Sequence, residues 1–274
     1  LMVKIGINGF GRIGRLILRA LLENYKGKIQ VVGINDLGSV ETNAHLIKYD
    51  STHGILNHDV KTTSDGFQIG DQNIKVFAER DPAKLPWGKV GADVVLECTG
   101  FFLDKASAGK HIEAGAKKVI ISAPAKEVDF TVVQGVNSKD LKKEHNIISN
   151  GSCTTNCLAP LAKVLDTYVG IKRGVMTTIH SYTSDQPTLD RHHDDLYRSR
   201  AAALAMIPTS TGAAKALGEV LPNLAGKLDG TAMRVPTPNV SAVDLTFEAS
   251  RDVTPEEINA AVAKAAQGPL GRVL

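Results

Sequence analysis

Three cysteines, one tryptophan and an aromatic content of 5% are little for a chain of 274 residues. Cys98, Cys153 and Cys157 are odd in number and lack the spacing of a disulfide framework, which excludes a stapled secreted domain and points to a reducing compartment. The expectation is a cytoplasmic protein. No run approaches the roughly 18 apolar residues of a membrane span, and no positive stretch precedes a long apolar core near Val3. No membrane partner is expected. Neither sign of charge dominates, since 32 basic and 29 acidic residues are interspersed and the longest basic runs are pairs such as Lys117-Lys118. A nucleic-acid groove is therefore not expected either. What remains is 43% apolar and 22% charged residues, enough to bury a sizeable core and too rich for a disordered or fibrous chain. Counting about 150 residues per domain gives two domains.

Short β-branched runs alternate with helical stretches from residue 3 to about 150, the pattern of a Rossmann-type, doubly wound parallel sheet. Strands are expected at Val3–Asn8, Ile29–Ile34, Val94–Cys98 and Val119–Ser122, with helices at Arg12–Leu22, Thr42–Lys48 and Lys105–Glu113. Lys61–Ala78 reads as two or three short antiparallel strands joined by the turns at Ser64-Asp65-Gly66 and Gly70-Asp71. Beyond a helix at about Thr154–Tyr168 the pattern changes. Strands at Val175–His180, Thr231–Val235 and the alternating Val240–Phe247 predict a mostly antiparallel sheet with one covered face, hence an α+β domain. The expected division is 1–152 and 153–274. A last helix over Pro255–Ala266 runs into Gly268-Pro269-Leu270-Gly271, and the sequence stops on the approach to another element, so the second domain is expected to be incomplete at its C-terminus.

Gly9-Phe10-Gly11-Arg12-Ile13-Gly14 fits the dinucleotide fingerprint G-x-G-x-x-G and lies between a strand and a helix. Gly9 suits the tight turn, Gly11 the approach of a pyrophosphate, and Gly14 close helix–strand packing. Three glycines also serve ordinary turns. Asp36 adds weight: it follows Gly14 by 22 residues at the end of the second strand, where a carboxylate receives ribose hydroxyls. Its charge repels a 2′-phosphate, and Leu37-Gly38-Ser39 offer no cation to receive one, so NAD is expected rather than NADP.

Cys153 stands at the first turn of a helix, where free N–H groups and the helix dipole stabilise a thiolate. Cys157 lies one turn further in and is expected to pack as a small apolar residue, as is Cys98 at a strand end. A redox or zinc half-site is the alternative, but C-x-x-C spacing is missing and no second ligand pair completes a set. Of eight histidines, His180 is the candidate base because it closes a strand before the polar loop Ser181-Tyr182-Thr183-Ser184-Asp185. A structural histidine in a loop is the competing reading. His192-His193-Asp194-Asp195 resembles a ligand set only superficially, since adjacent side chains point apart; a solvated or subunit-facing loop is expected, and no metal. Thr209-Ser210-Thr211-Gly212 leads into a helix at Ala213–Val220 and offers hydroxyls and N–H groups to a phosphate, with Arg198, Arg200 and Arg234 available for bidentate contacts.

Asn8-Gly-Phe-Gly-Arg-Ile-Gly-Arg15, Asn35-Asp36, Ser152-Cys-Thr-Thr-Asn156, His180-Ser-Tyr-Thr183, Arg200-Ala-Ala-Ala-Leu204, Thr211-Gly-Ala-Ala-Lys215 and Arg234-Val-Pro-Thr-Pro238 together resemble the glyceraldehyde-3-phosphate dehydrogenase family, over essentially the whole chain. The resemblance implies an NAD-dependent, phosphorylating aldehyde dehydrogenase of glycolysis and gluconeogenesis, forming 1,3-bisphosphoglycerate. It implies that Cys153 attacks the aldehyde to form a thiohemiacetal, that His180 takes the proton, and that hydride transfer leaves a thioester which inorganic phosphate cleaves. It further implies that Thr183, Asp185 and Arg234 hold the substrate phosphate. Ser152, Thr154, Thr211, Gly212 and Arg198 (or Arg200) would hold the attacking phosphate. Asn8, Arg12, Ile13, Asp36, Arg80, Thr99, Gly100 and Ser122 would line the cofactor. The loop from Ser181 to about Met206 resembles one that lies between subunits of a homotetramer. Family members continue past the equivalent of Leu274, through an Asn that holds the nicotinamide amide and a returning helix. Two alternatives stay open: an erythrose-4-phosphate dehydrogenase, and a non-catalytic NAD-binding fragment.

Overall fold

The computed structural model describes residues 2–274; Leu1 lies outside the described residues. Contacts divide the chain into two units. The first runs to Thr131 and resumes over Lys142–Asn150, while the second comprises Val132–Leu141 and Gly151–Leu274. Residues 132–141 therefore pack with the second unit although they interrupt the first.

The first unit contains, in order, β1 (Val3–Asn8), α1 (Arg12–Asn24), β2 (Ile29–Asn35), α2 (Val40–Lys48), β3 (Tyr49–Asp50), β4 (Gly54–Ile55), β5 (Val60–Thr63), β6 (Gly66–Ile69) and β7 (Gln72–Phe77). Then follow α3 (Trp87–Val90), β8 (Val94–Glu97), α4 (Lys105–Glu113), β9 (Lys118–Ile121), β10 (Phe130–Thr131) and β11 (Ile147–Ser149). Nine strands form one sheet in the order β10-β11-β9-β8-β1-β2-β7-β6-β5. Its strands are parallel from β10 to β7, and β5, β6 and β7 are joined antiparallel, as the turn residues between them require. Ile5, Ile7, Leu18, Ile34, Ile47 and Phe67 fill the core under α1 and α2. The chain leaves β1 for β2 on one side and comes back to β8 on the other. That reversal opens a crevice beyond the carboxyl end of β1, the usual place for a ligand on a parallel sheet.

The second unit contains α5 (Cys153–Val169), β12 (Ile171–Ser181), β13 (Ile207–Ser210), α6 (Ala213–Val220), β14 (Leu228–Val235), β15 (Ala242–Ala249) and α7 (Pro255–Ala266). Its sheet has the order β13-β14-β12-β15, with β12 and β14 parallel and the outer pairings antiparallel. The parallel pair arises because β13 and α6 carry the chain across between β12 and β14, a crossover long enough to restore strand direction. β13 takes in Thr209 and Ser210, which the sequence pattern places only in a polar stretch leading to a helix; it is an edge strand, the position that tolerates Pro208. Alternation along β15 buries Val243, Leu245 and Phe247 against a core of Leu158, Leu165, Met176, Leu217 and Leu228, leaving Asp244, Thr246 and Glu248 exposed. α7 starts at a capping box in which Thr254 and Glu257 satisfy each other's backbone N–H groups. No helix among the described residues is long and apolar enough to cross a membrane.

Candidate active site

Every residue singled out for the cofactor lies at or beyond the carboxyl end of a strand in the first unit, or opens α1. Gly9 adopts φ +90°, and a Cβ there would stand 2.7 Å from Thr99 N; a Cβ on Gly14 would stand 2.2 Å from Gly9 O. Only glycine fits the two positions. At Gly11, by contrast, a Cβ would meet nothing within 4 Å, and α1 begins there with no side-chain cap and no acid in its first turn. This is open space faced by unpaired N–H groups, a fit for the pyrophosphate of NAD. Asp36 accepts from Phe10 N and Gly38 N, both at 2.8 Å, so it fastens the loop as well as facing the crevice. The Phe10 side chain turns into the core against Phe67. Arg12 pairs with Asp50, whereas Ile13, Gly100 and Arg80 are exposed.

Asn8 is 1% exposed, and its side chain belongs to a network beneath the loop that the sequence did not announce. Its Nδ2 donates to Glu97 Oε2 at 2.6 Å, and its Oδ1 accepts from Asn35. Trp87 Nε1 donates to His111 Nδ1 at 3.0 Å, which leaves His111 Nε2 to donate to Glu97 Oε2 at 2.8 Å. Glu97 Oε1 accepts from Thr99 N at 2.7 Å and from the Thr99 hydroxyl. Thr99 is thus held from below, and Ser122 N is tied to Glu97 O.

In the second unit Ser152 caps α5 by accepting from Thr155 N, and Cys153 follows as the first helical residue. Its Sγ lies 3.1 Å from His180 Nε2. The hydrogen bond with His180 holds the thiol below its ordinary pKa, against burial and helped by the His180 charge and by Thr154. His180 is raised, first by the same bond. His180 Nδ1 lies 2.6 Å from Ser181 O, so Nδ1–H donates to the carbonyl and Nε2 is left to face the sulfur. Cys98 is pushed up to about 12 by burial. Cys157 is exposed, not packed as expected, because it lies at i+4 from Cys153 on the same face of α5.

Anion-binding groups converge beside this pair. Arg234 stands opposite His180 in the β12–β14 ladder, and its Nη1 donates to Thr183 Oγ1 at 2.9 Å, to Gln186 Oε1 and to Ser181 O. Thr183 in turn donates to Asp185, whose other oxygen accepts from Arg198 Nη1 at 3.3 Å. Burial works against the Asp185 charge, but the Thr183 hydroxyl and the two guanidiniums outweigh it and lower its pKa. Arg198 Nε also reaches Thr209 Oγ1 and its Nη2 reaches Ser210 O. Arg200 instead pairs with Asp190 at the surface, so Arg198 is the arginine turned toward the cluster. Thr211 Oγ1 accepts from Ala213 N at the start of α6, and the space above Gly212 is open. In the ligand-like stretch, His193 and Asp195 turn inward onto Asp185 and Thr209 while His192 and Asp194 are exposed. Gln186, 7% exposed, went unremarked in the sequence, where nothing distinguishes it from its polar neighbours.

Two family models match. Residues 3–105 match "Glyceraldehyde 3-phosphate dehydrogenase, NAD binding domain" and residues 152–274 match "Glyceraldehyde 3-phosphate dehydrogenase, C-terminal domain". The glyceraldehyde-3-phosphate dehydrogenase of Xanthobacter flavus is 60% identical over 272 residues, covering 99% of this chain and 81% of the relative. Glyceraldehyde-3-phosphate dehydrogenase 1 of Bacillus subtilis (strain 168) is 59% identical over 273 residues, with the same coverage. That of Geobacillus stearothermophilus is 58% identical over 273 residues, again covering 99% and 81%.

Proposed function

The chain belongs to the glyceraldehyde 3-phosphate dehydrogenase family, and from that membership we propose that it oxidises glyceraldehyde 3-phosphate to an acyl phosphate with Cys153 as nucleophile and His180 as base. It is an NAD-dependent oxidoreductase. The observation that carries the reading is the Cys153–His180 pair at 3.1 Å beside a cluster that joins Arg198 and Arg234 to the Asp185 carboxylate and the Thr183 hydroxyl.

The Cys153 thiolate adds to the aldehyde carbon, the protonated Nε2 of His180 gives its proton to the resulting alkoxide, and the neutral Nε2 takes it back as the carbonyl re-forms. NAD, when bound by the Gly9–Gly14 loop, Asp36, Arg80, Thr99, Gly100 and Ser122, supplies the hydride acceptor. Cys153 then carries a thioester. Inorganic phosphate adds to the thioester carbon and the Cys153 thiolate leaves beside the protonated His180, which restores the starting pair, while the proton of the attacking hydrogen phosphate passes to solvent. Thr183, Asp185 and Arg234 receive the substrate phosphate. Ser152, Thr154, Arg198, Thr211 and Gly212 receive the attacking one, displacing the internal contacts that satisfy these groups in its absence. The test is phosphate-dependent NADH formation on glyceraldehyde 3-phosphate and, in parallel, erythrose 4-phosphate. Cys153→Ser should lower the rate at least about a thousandfold. An unchanged rate overturns the covalent route, faster turnover of the four-carbon sugar reassigns the substrate, and NAD binding without turnover favours the binding-only reading.

A subunit-facing role for the loop before β13 is supported by Leu189, Leu196, Leu204 and Met206, each 69–81% exposed. We propose that this apolar surface meets other copies in a homotetramer, with the protein working in the cytoplasm. Sedimentation of the purified chain checks the assembly: a monomer at micromolar concentration would argue against it.

A further inference from the structure

Val240 has φ +69°, a left-handed conformation that is rare for a β-branched residue. Its side chain is 77% exposed, so no buried contact of its own accounts for the conformation. The next residue supplies a reason. Ser241 Oγ accepts from Ser181 N at 3.1 Å, and the two hydroxyls lie 3.3 Å apart. The β12–β15 ladder begins at Ile179–Ala242, whereas β12 continues to Ser181 on its β14 side. The Ser241 hydroxyl therefore stands where the ladder would otherwise leave the Ser181 N–H without a partner.

On its other face the same residue is a hub. Ser181 O accepts from His180 Nδ1 at 2.6 Å and from Arg234 Nη1 at 3.2 Å. One carbonyl thus orients both the imidazole facing Cys153 and the guanidinium facing Thr183.

We infer that Ser241, delivered by the strained turn at Val240, is a positioning residue that clamps the Ser181 peptide and through it aims His180 Nε2 at the Cys153 sulfur. The inference rests on the reading of Cys153 and His180 as nucleophile and base. The charged groups acting on His180 are Cys153 from α5 and Arg234 from β14; the β15 side brings the hydroxyl and no charge at that register. The hydrogen bond to Ser181 is among the causes that raise the imidazole's pKa, after the bond to Cys153. A carbonyl free to drift weakens that support, and the thiolate loses its counter-charge.

The test is the pH dependence of Cys153 alkylation by iodoacetamide in the full chain, in a Cys157→Ser background so that a single exposed thiol is followed. The background should alkylate as a thiol of lowered pKa. Ser241→Ala should slow alkylation near neutral pH about three- to tenfold and move the profile to higher pH, and Ser241→Thr, which keeps the hydroxyl, should restore it. Val240→Pro, whose ring forbids a positive φ, should reproduce Ser241→Ala and serves if the alanine variant does not fold. A Ser241→Ala profile superimposed on the background overturns the inference alone. A background that itself titrates as an ordinary thiol overturns the nucleophile–base reading and this inference with it.

Discussion

Asp36 shows how one side chain can carry two duties. Its carboxylate takes the N–H groups of Phe10 and Gly38, so the loop that would face the pyrophosphate is fastened by the residue that would face the ribose. Asp36→Ala removes both the ribose acceptor and the loop anchor. We expect about a tenfold or greater loss of NAD affinity by calorimetry, with a smaller loss for NADP because the charge that repels a 2′-phosphate has gone. Equal losses for the two cofactors would leave Asp36 only its structural duty. The buried set beneath it behaves differently, because Asn8, Glu97 and His111 satisfy one another and support Thr99 and Ser122 from below. His111 offered no pattern in the sequence: a histidine on a helix is neither apolar nor charged enough to mark a face. Its partner Trp87 lies 24 positions away.

Among the elements, those with local signals were legible. The alternation of β15 and the periodicity of α7 depend on neighbours within four residues; α7 spans Pro255–Ala266 as expected, and β15 runs from Ala242 to Ala249, two residues later than the Val240–Phe247 of the pattern. The parallel match of β12 and β14 depends instead on a crossover, and the hidden strand β13 on its place at a sheet edge. Neither leaves a local trace. For the candidate site the same division holds. Cys153 at a helix start and His180 near a strand end are visible in the chain, but the peptide of Ser181 that joins His180 to Arg234 becomes visible only when the strands are paired. The exposure of Cys157 was recoverable from helix geometry, since a residue at i+4 shares the face of Cys153. α7 buries no residue fully, so its cap should matter locally. Thr254→Ala should raise amide exchange across α7 about fivefold, the equivalent of about 1 kcal/mol for a lost cap, and leave β12 and β14 protected. Loosening of the whole sheet would contradict that independence.

At the scale of the molecule, acid stability rests on carboxylates that tie distant segments. Burial alone would raise Asp50 and Asp129, yet both are held at about 2, Asp50 by the N–H groups of Thr52 and His53 with Arg12, and Asp129 by Lys105 with the N–H groups of Asn146 and Ile147. A folded-state value below the ordinary 3.8 means stability that is complete above that value and is lost as pH falls toward 2. Asp129→Asn should therefore lower the melting temperature near neutral pH and flatten its decline under acid, measured by thermal melts at several pH values. A parallel decline in variant and parent would exclude Asp129 from the acid response. Asp129 holds the chain as it re-enters the first unit at β11, and that return carries a consequence for synthesis. β11 lies between β10 and β9, yet it is made after residues 132–141, which belong to the other unit. Until it emerges from the ribosome, β9 presents an open edge and β10 has nothing to pair with. The window of translation between Thr131 and Ser149 is when a nascent chain is most exposed to strand addition by a neighbour, and where a chaperone that covers sheet edges would be needed.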